Sequence, residues 1–169
     1  IIQVRKQGKS SQSRRPLEMS EFRDLIASCR ESGKNEFSRH IAAAYFIFQF
    51  HMVARVDDIH NFFKNDITPN IEFPFALKSK MCWSKNVLEE REAPEQIVLG
   101  ANDPVFCTHI ALAIVCEFHP HQELTLFDCS KSKIGSYFRK IVNDQNFERE
   151  RPEPLGTHSL RKFAATHAR

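Results

Sequence analysis

The chain has 169 residues, 41% hydrophobic and 27% charged, a size and balance that fit one domain with a substantial core. Its net charge of +3 is too small to establish a nucleic-acid partner, and five glycines argue against a glycine-rich phosphate loop. Five cysteines without a Cys-x-x-Cys pair favour free thiols in a reducing compartment over a disulfide framework, no signal peptide is legible, and the longest apolar run, Ile41 to Phe50, is too short to span a bilayer.

Residues 1–15 read as a basic linker, because Arg5, Lys6, Lys9, Arg14 and Arg15 stand there with no acid among them. Pro16 and Ser20 then introduce a helix carrying Phe22, Leu25 and Ile26, with Ser20 as its N-cap and Gly33 closing it. A second helix is predicted from about Glu36 through Ala54. Its middle, Ile41 to Phe48, is apolar all round, which marks the central buried helix. Arg55 follows directly, and Val56, Ile59, Phe62 and Phe63 continue at helical spacing.

Pro69, Pro74 and Pro94 exclude a long helix in the next stretch. Phe75 to Trp83 reads as a strand and Gln96 to Leu99 as its partner, joined by a polar connection from Ser84 to Pro94. Asp103-Pro104 has the form of a helix start, an N-cap followed by proline, and that helix should run to about Phe118 before His119-Pro120-His121 breaks it. A further helix spans Lys131 to about Asp144, and a loop through Pro154 leads to a last helix from Thr157. The expected fold is mainly α with a small antiparallel hairpin or three-stranded sheet, an α+β domain.

The last helix carries the chemistry. Leu160, Phe163, Ala164 and His167 fall on one face, and His158, Arg161, Lys162 and Arg169 on the other. His158 and Arg161 are three apart and so stand side by side on the first turn, where the helix N-terminus favours an anion. An imidazole, a guanidinium and first-turn amides together suit a phosphate. The final segment from Thr157 holds no acid, so both ends of the chain suit a polyanion.

His158-Ser-Leu-Arg161 followed by Lys-Phe-Ala-Ala-Thr-His167 resembles the His-x-x-Arg helix of tyrosine recombinases and phage-type integrases. Two upstream segments come in that family's order. Arg55-Val-Asp-Asp58-Ile59 resembles the segment of its first catalytic arginine. Ser84-Lys85-Asn86, with Glu90-Arg91 and Pro94, resembles the hairpin turn that presents its catalytic lysine. The spacing there is one residue longer than the commonest pattern, which leaves Lys80 as the alternative lysine. Arg-Val-Asp-Asp and Trp-Ser-Lys-Asn are most similar to the eukaryotic Crypton-type branch, a class of transposable element.

The resemblance covers roughly residues 16–169 and implies a DNA strand transferase of type IB chemistry, with no metal or cofactor. Arg55 and Arg161 would clamp the non-bridging oxygens of the scissile phosphate, Lys85 would protonate the departing 5′ oxygen, and His158 would hydrogen-bond the phosphate or move the nucleophile's proton. Arg14, Arg15, Lys80, Arg91, Lys162 and Arg169 are the further candidates for contacts to double-stranded DNA. The family's tyrosine nucleophile lies downstream of the His-x-x-Arg helix, whereas Tyr45 and Tyr137 precede it and are expected to pack in the domain. The chain is thus expected to bind DNA without cleaving it alone. A separate DNA-clasping domain ahead of the 1–15 linker and self-association of the whole protein on DNA are also implied. The location would be nuclear in a eukaryote and cytoplasmic otherwise.

Two other readings compete. One is a recombinase-derived DNA-binding domain that no longer performs chemistry. The other is a zinc-stabilised interaction module using Cys107, His109, Cys116, His119, His121 and Cys129, although their spacing fits no common zinc pattern and Cys107 to Phe118 reads as one core helix.

Overall fold

The computed structural model describes residues 14–32, 35, 37–82, 93, 95–118, 125–149, 151 and 153–167, with backbone alone at 32, 37 and 38. Six α-helices and three strands follow in order: α1 Met19–Ser32, α2 Ala42–His51, α3 Val56–His60, β1 Ile67–Pro69, β2 Ala76–Lys80, β3 Glu95–Leu99, α4 Thr108–Phe118, α5 Lys131–Asp144 and α6 Thr157–His167. A turn of π-helix, Phe37–Ile41, leads into α2.

α2 is the axis of the core. Every residue from Ala42 to Gln49 is buried, because α1, α4 and α6 pack around it. Phenylalanine supplies much of the glue. Phe22 of α1 lies 4.9 Å from Phe50 of α2, 5.4 Å from Phe106 before α4 and 5.6 Å from Phe163 of α6, ring centre to ring centre. Phe46 meets Phe138 of α5 at 5.9 Å. Such aromatic pairs add roughly 0.5–1.5 kcal/mol each beyond the area they bury.

The α2 helix stops at His51, three residues before the predicted end. Val53 takes φ 49, and two hydrogen bonds close the turn, Val53 N–H to Phe50 O at 3.0 Å and Ala54 N–H to Gln49 O at 3.2 Å. This is the Schellman arrangement, whose left-handed position normally holds glycine. A β-branched residue there costs about 1–2 kcal/mol. Replacing Val53 with glycine should therefore raise the unfolding free energy by about 0.5–1 kcal/mol, after the loss from a more flexible unfolded chain, and move the denaturant midpoint upward with it. A lower midpoint would show that the Val53 side chain contributes more by packing than its backbone loses by strain.

The sheet has the order β1-β2-β3, antiparallel throughout, with Ile67 opposite Ser79 and Leu77 opposite Val98. Ser79 is buried against the end of α2, its hydroxyl donating to Met52 Sδ at 3.4 Å. The His109 ring lies 3.1 Å from Val98 O and so covers part of the β3 edge.

Two predicted helix starts shift. α1 begins at Met19 rather than after Ser20, because Glu21 Oε2 accepts the Glu18 N–H at 2.8 Å and caps the first turn from inside the helix. Asp103-Pro104 opens a turn and not a helix. Asp103 Oδ1 accepts the Val105 N–H at 2.9 Å, and α4 begins at Thr108. α5 and α6 begin where the sequence puts them. Ser130 Oγ caps α5 by accepting the Lys133 N–H at 3.2 Å. Gly33, expected to close α1, lies outside the described residues.

Candidate functional site

The turn after α2 delivers Arg55 to the start of α3 in an extended conformation, φ −80° and ψ 161°. Buried Asp58 holds it there, accepting the Arg55 N–H at 2.9 Å. The α6 helix arrives beside this turn. Arg161 Nε donates to Val53 O at 3.1 Å. Gln49, fully buried in α2, donates through Nε2 to Ala54 O at 3.3 Å and to Thr157 O at 3.2 Å. Those two carbonyls belong to the residues just before Arg55 and His158. The turn bearing Arg55 and the helix bearing His158 and Arg161 are therefore stitched together at three backbone points.

On α6, Ser159, Leu160, Phe163 and Ala164 face the core, while His158 is exposed and Arg161 half-buried. His167, expected on the apolar face, is exposed at its edge, with its ring 5.7 Å from that of Phe163. Two neighbours of the site gave no sequence signal. Asp57 pairs with Lys131 at the start of α5. Its carboxyl is held below its ordinary range, first by that hydrogen bond, against a small cost of burial, and then by the charge of Lys131, His158 and His60. His60 Nδ1 lies 3.1 Å from Cys129 O and anchors α3 to the approach to α5. Only the fold brings Lys131 to a residue two places after Arg55.

The remaining candidates divide. Arg14 is exposed, and its guanidinium crosses the face of Gly156, so that a β-carbon added at Gly156 would run into its Nη1. Lys162 is exposed and its Nζ donates to Arg14 O at 2.5 Å. Both therefore stand beside the first turns of α6. Arg15 does not face solvent. It is 8% exposed and forks onto Glu21 at 2.7 and 2.5 Å, with a further bond to Phe147 O at 3.0 Å. Both Nη atoms of Arg15 are thus bonded to the packed domain, through Glu21 and Phe147. Lys80 is half-exposed at the end of β2, and strand alternation turns it to the face opposite Ser79, away from the Met52 turn. Lys85, Arg91 and Arg169 lie outside the described residues.

Tyr45 is 1% exposed, and its hydroxyl donates to Val56 O at 3.0 Å. Burial pushes its phenol well above the ordinary range, so a nucleophilic phenolate is strongly disfavoured there. Tyr137 is partly buried against the core. Among the described residues no group of three or more His, Cys, Asp or Glu could hold a metal ion; His119 and His121 of the zinc reading lie outside them. No helix among the described residues is long and apolar enough to cross a membrane.

The mainly helical core carrying a three-stranded antiparallel sheet matches the fold of a tyrosine recombinase core. Among solved structures the chain is similar to the XerH site-specific recombinase bound to difH substrate in a pre-cleavage complex, with a TM-score of 0.64 and 14% identity. The match covers 90% of this chain and 42% of the length of that neighbour. No family model and no curated protein matches the sequence.

Proposed function

We propose that this chain is the phosphate-binding core of a DNA strand transferase of the tyrosine recombinase type. The observation that carries the reading is the stitching of the Arg55 turn to the His158–Arg161 helix through Gln49 and Val53. Backbone segments more than a hundred positions apart are joined there, and in this reading the Arg55 and Arg161 guanidinium groups and the His158 imidazole serve one phosphate at the positive end of an eleven-residue helix. The overall likeness to a substrate-bound recombinase supports the same reading.

In the proposed reaction a tyrosine from outside residues 1–169 attacks the phosphorus, its phenol proton passing to His158, and a phosphotyrosine bond forms as the bond from phosphorus to the 5′ oxygen breaks. Arg55 and Arg161 stabilise the charge that builds on the non-bridging oxygens, His158 hydrogen-bonds the phosphate, and Lys85 gives a proton to the departing 5′ oxygen. The chain alone would bind duplex DNA without cutting it, and the whole protein would act as an assembly. The Arg55-Val-Asp-Asp58 and Trp83-Ser-Lys-Asn86 segments support a place near the Crypton-type branch, with nuclear action in a eukaryotic host.

The test is duplex binding by fluorescence anisotropy across a salt series. Arg55, His158, Arg161 and their basic neighbours should give a logarithmic slope of about −3 to −4, since each neutralised phosphate contributes roughly −0.9. An affinity that does not change with salt would remove phosphate recognition from the account.

A further inference from the structure

Gln49 is fully buried in a helix whose other buried residues are alanine, isoleucine, phenylalanine and tyrosine. Burying an amide in such a setting is costly unless it is hydrogen-bonded, and a methionine or leucine would fill the same volume at lower cost. The amide is not spent on the helix itself. Both of its donated bonds leave α2, one for Ala54 O and one for Thr157 O. Because both partners are carbonyls, the orientation of the amide is fixed by chemistry. Its Oε1 is buried and has no hydrogen-bond partner among the described residues. Such a group in a native core calls for a reason beyond stability.

The reason lies in what the two carbonyls precede. Ala54 is followed by Arg55 and Thr157 by His158, so one planar amide sets the spacing of the two backbone points from which those side chains leave. We infer that Gln49 is a positioning residue, fixing the separation between Arg55 and the His158–Arg161 pair so that all three close on one phosphate. This rests on the phosphate-binding reading above. The alternative role is structural only: Gln49 would satisfy two loop carbonyls without bearing on phosphate geometry.

The two roles separate in one set of measurements on this chain with a duplex oligonucleotide, made well below the unfolding temperature of each variant. Gln49→Met keeps the volume and removes the donors. It should weaken binding by about tenfold, as misplacement of a binding group by a fraction of an ångström does. The double variant Gln49→Met/Arg161→Ala should then bind no more weakly than the worse single variant, because both changes break one cluster. Wild-type affinity in Gln49→Met, alongside weakened Arg161→Ala, would overturn the inference and leave the phosphate site standing. Wild-type affinity in Arg161→Ala would overturn the phosphate site itself. If Gln49→Met does not fold, the wild-type chain decides. The side-chain amide resonances of Gln49 should move when duplex is added, and unmoved resonances would overturn the positioning role.

Discussion

Arg161→Ala is expected to weaken duplex binding by about tenfold to a hundredfold while the domain stays folded. Charge-assisted hydrogen bonds to phosphate contribute roughly 1.5–3 kcal/mol, which sets that range. The structural loss is smaller. Arg161 Nε gives up one bond to Val53 O, about 1 kcal/mol, and Val53 is itself half-exposed. Arg161→Lys should recover charge but not binding, since an ammonium cannot hold Val53 O and fork onto an anion at once. Anisotropy and thermal melts on the three proteins check both halves of the expectation. A variant that melts early but binds normally when cold would make Arg161 a structural residue.

Arg15→Ala is expected to cost stability rather than binding, by about 3 kcal/mol. It would strand Glu21, whose carboxylate faces Arg15 through both oxygens and is 13% exposed. It would also free Phe147 O, so the contact between the α1 approach and the end of α5 would loosen. The same pair has a pH signature. Burial by itself would raise the Glu21 carboxyl, but the Arg15 hydrogen bond, the Glu18 N–H and the charge of Arg15 together hold it below its ordinary value of 4.5. A carboxyl depressed in the folded state stabilises above its unfolded value and loses that contribution as pH falls through the folded one. Denaturant midpoints should accordingly fall with acid below about pH 4.5, and Glu21→Gln should shrink that step. An acid step of unchanged size in Glu21→Gln would mean that other carboxylates carry it, Glu148 first among them. Its carboxyl is also held low, burial being outweighed by the Leu155 N–H and Arg139.

The α6 helix and its buried face were readable because helix periodicity is local. His158 and Arg161 share a turn whatever surrounds them, and the buried face of α6 follows from Leu160, Phe163 and Ala164. The apolar run in α2 likewise announced a helix surrounded by others. Arg15 misled for a related reason. A basic run with no acid reads as solvated, and its partner Glu21 lies six residues away on the next element, at a distance no periodicity encodes. Asp103-Pro104 misled because its side chain closes an Asx turn as readily as it caps a helix.

The amino-acid order alone made legible the helical class, the central helix and the placing of His158 and Arg161 on one turn, since each depends on neighbours a few positions away. Only the folded chain decided that the turn before Arg55 docks on α6, that Val53 adopts a left-handed conformation there, that Gln49 spans the two segments and that Lys131 stands at Asp57. Those choices depend on contacts between segments separated by tens to more than a hundred residues. Their geometry is set by how α2, α3, α5 and α6 pack, and no run of sequence carries that information by itself.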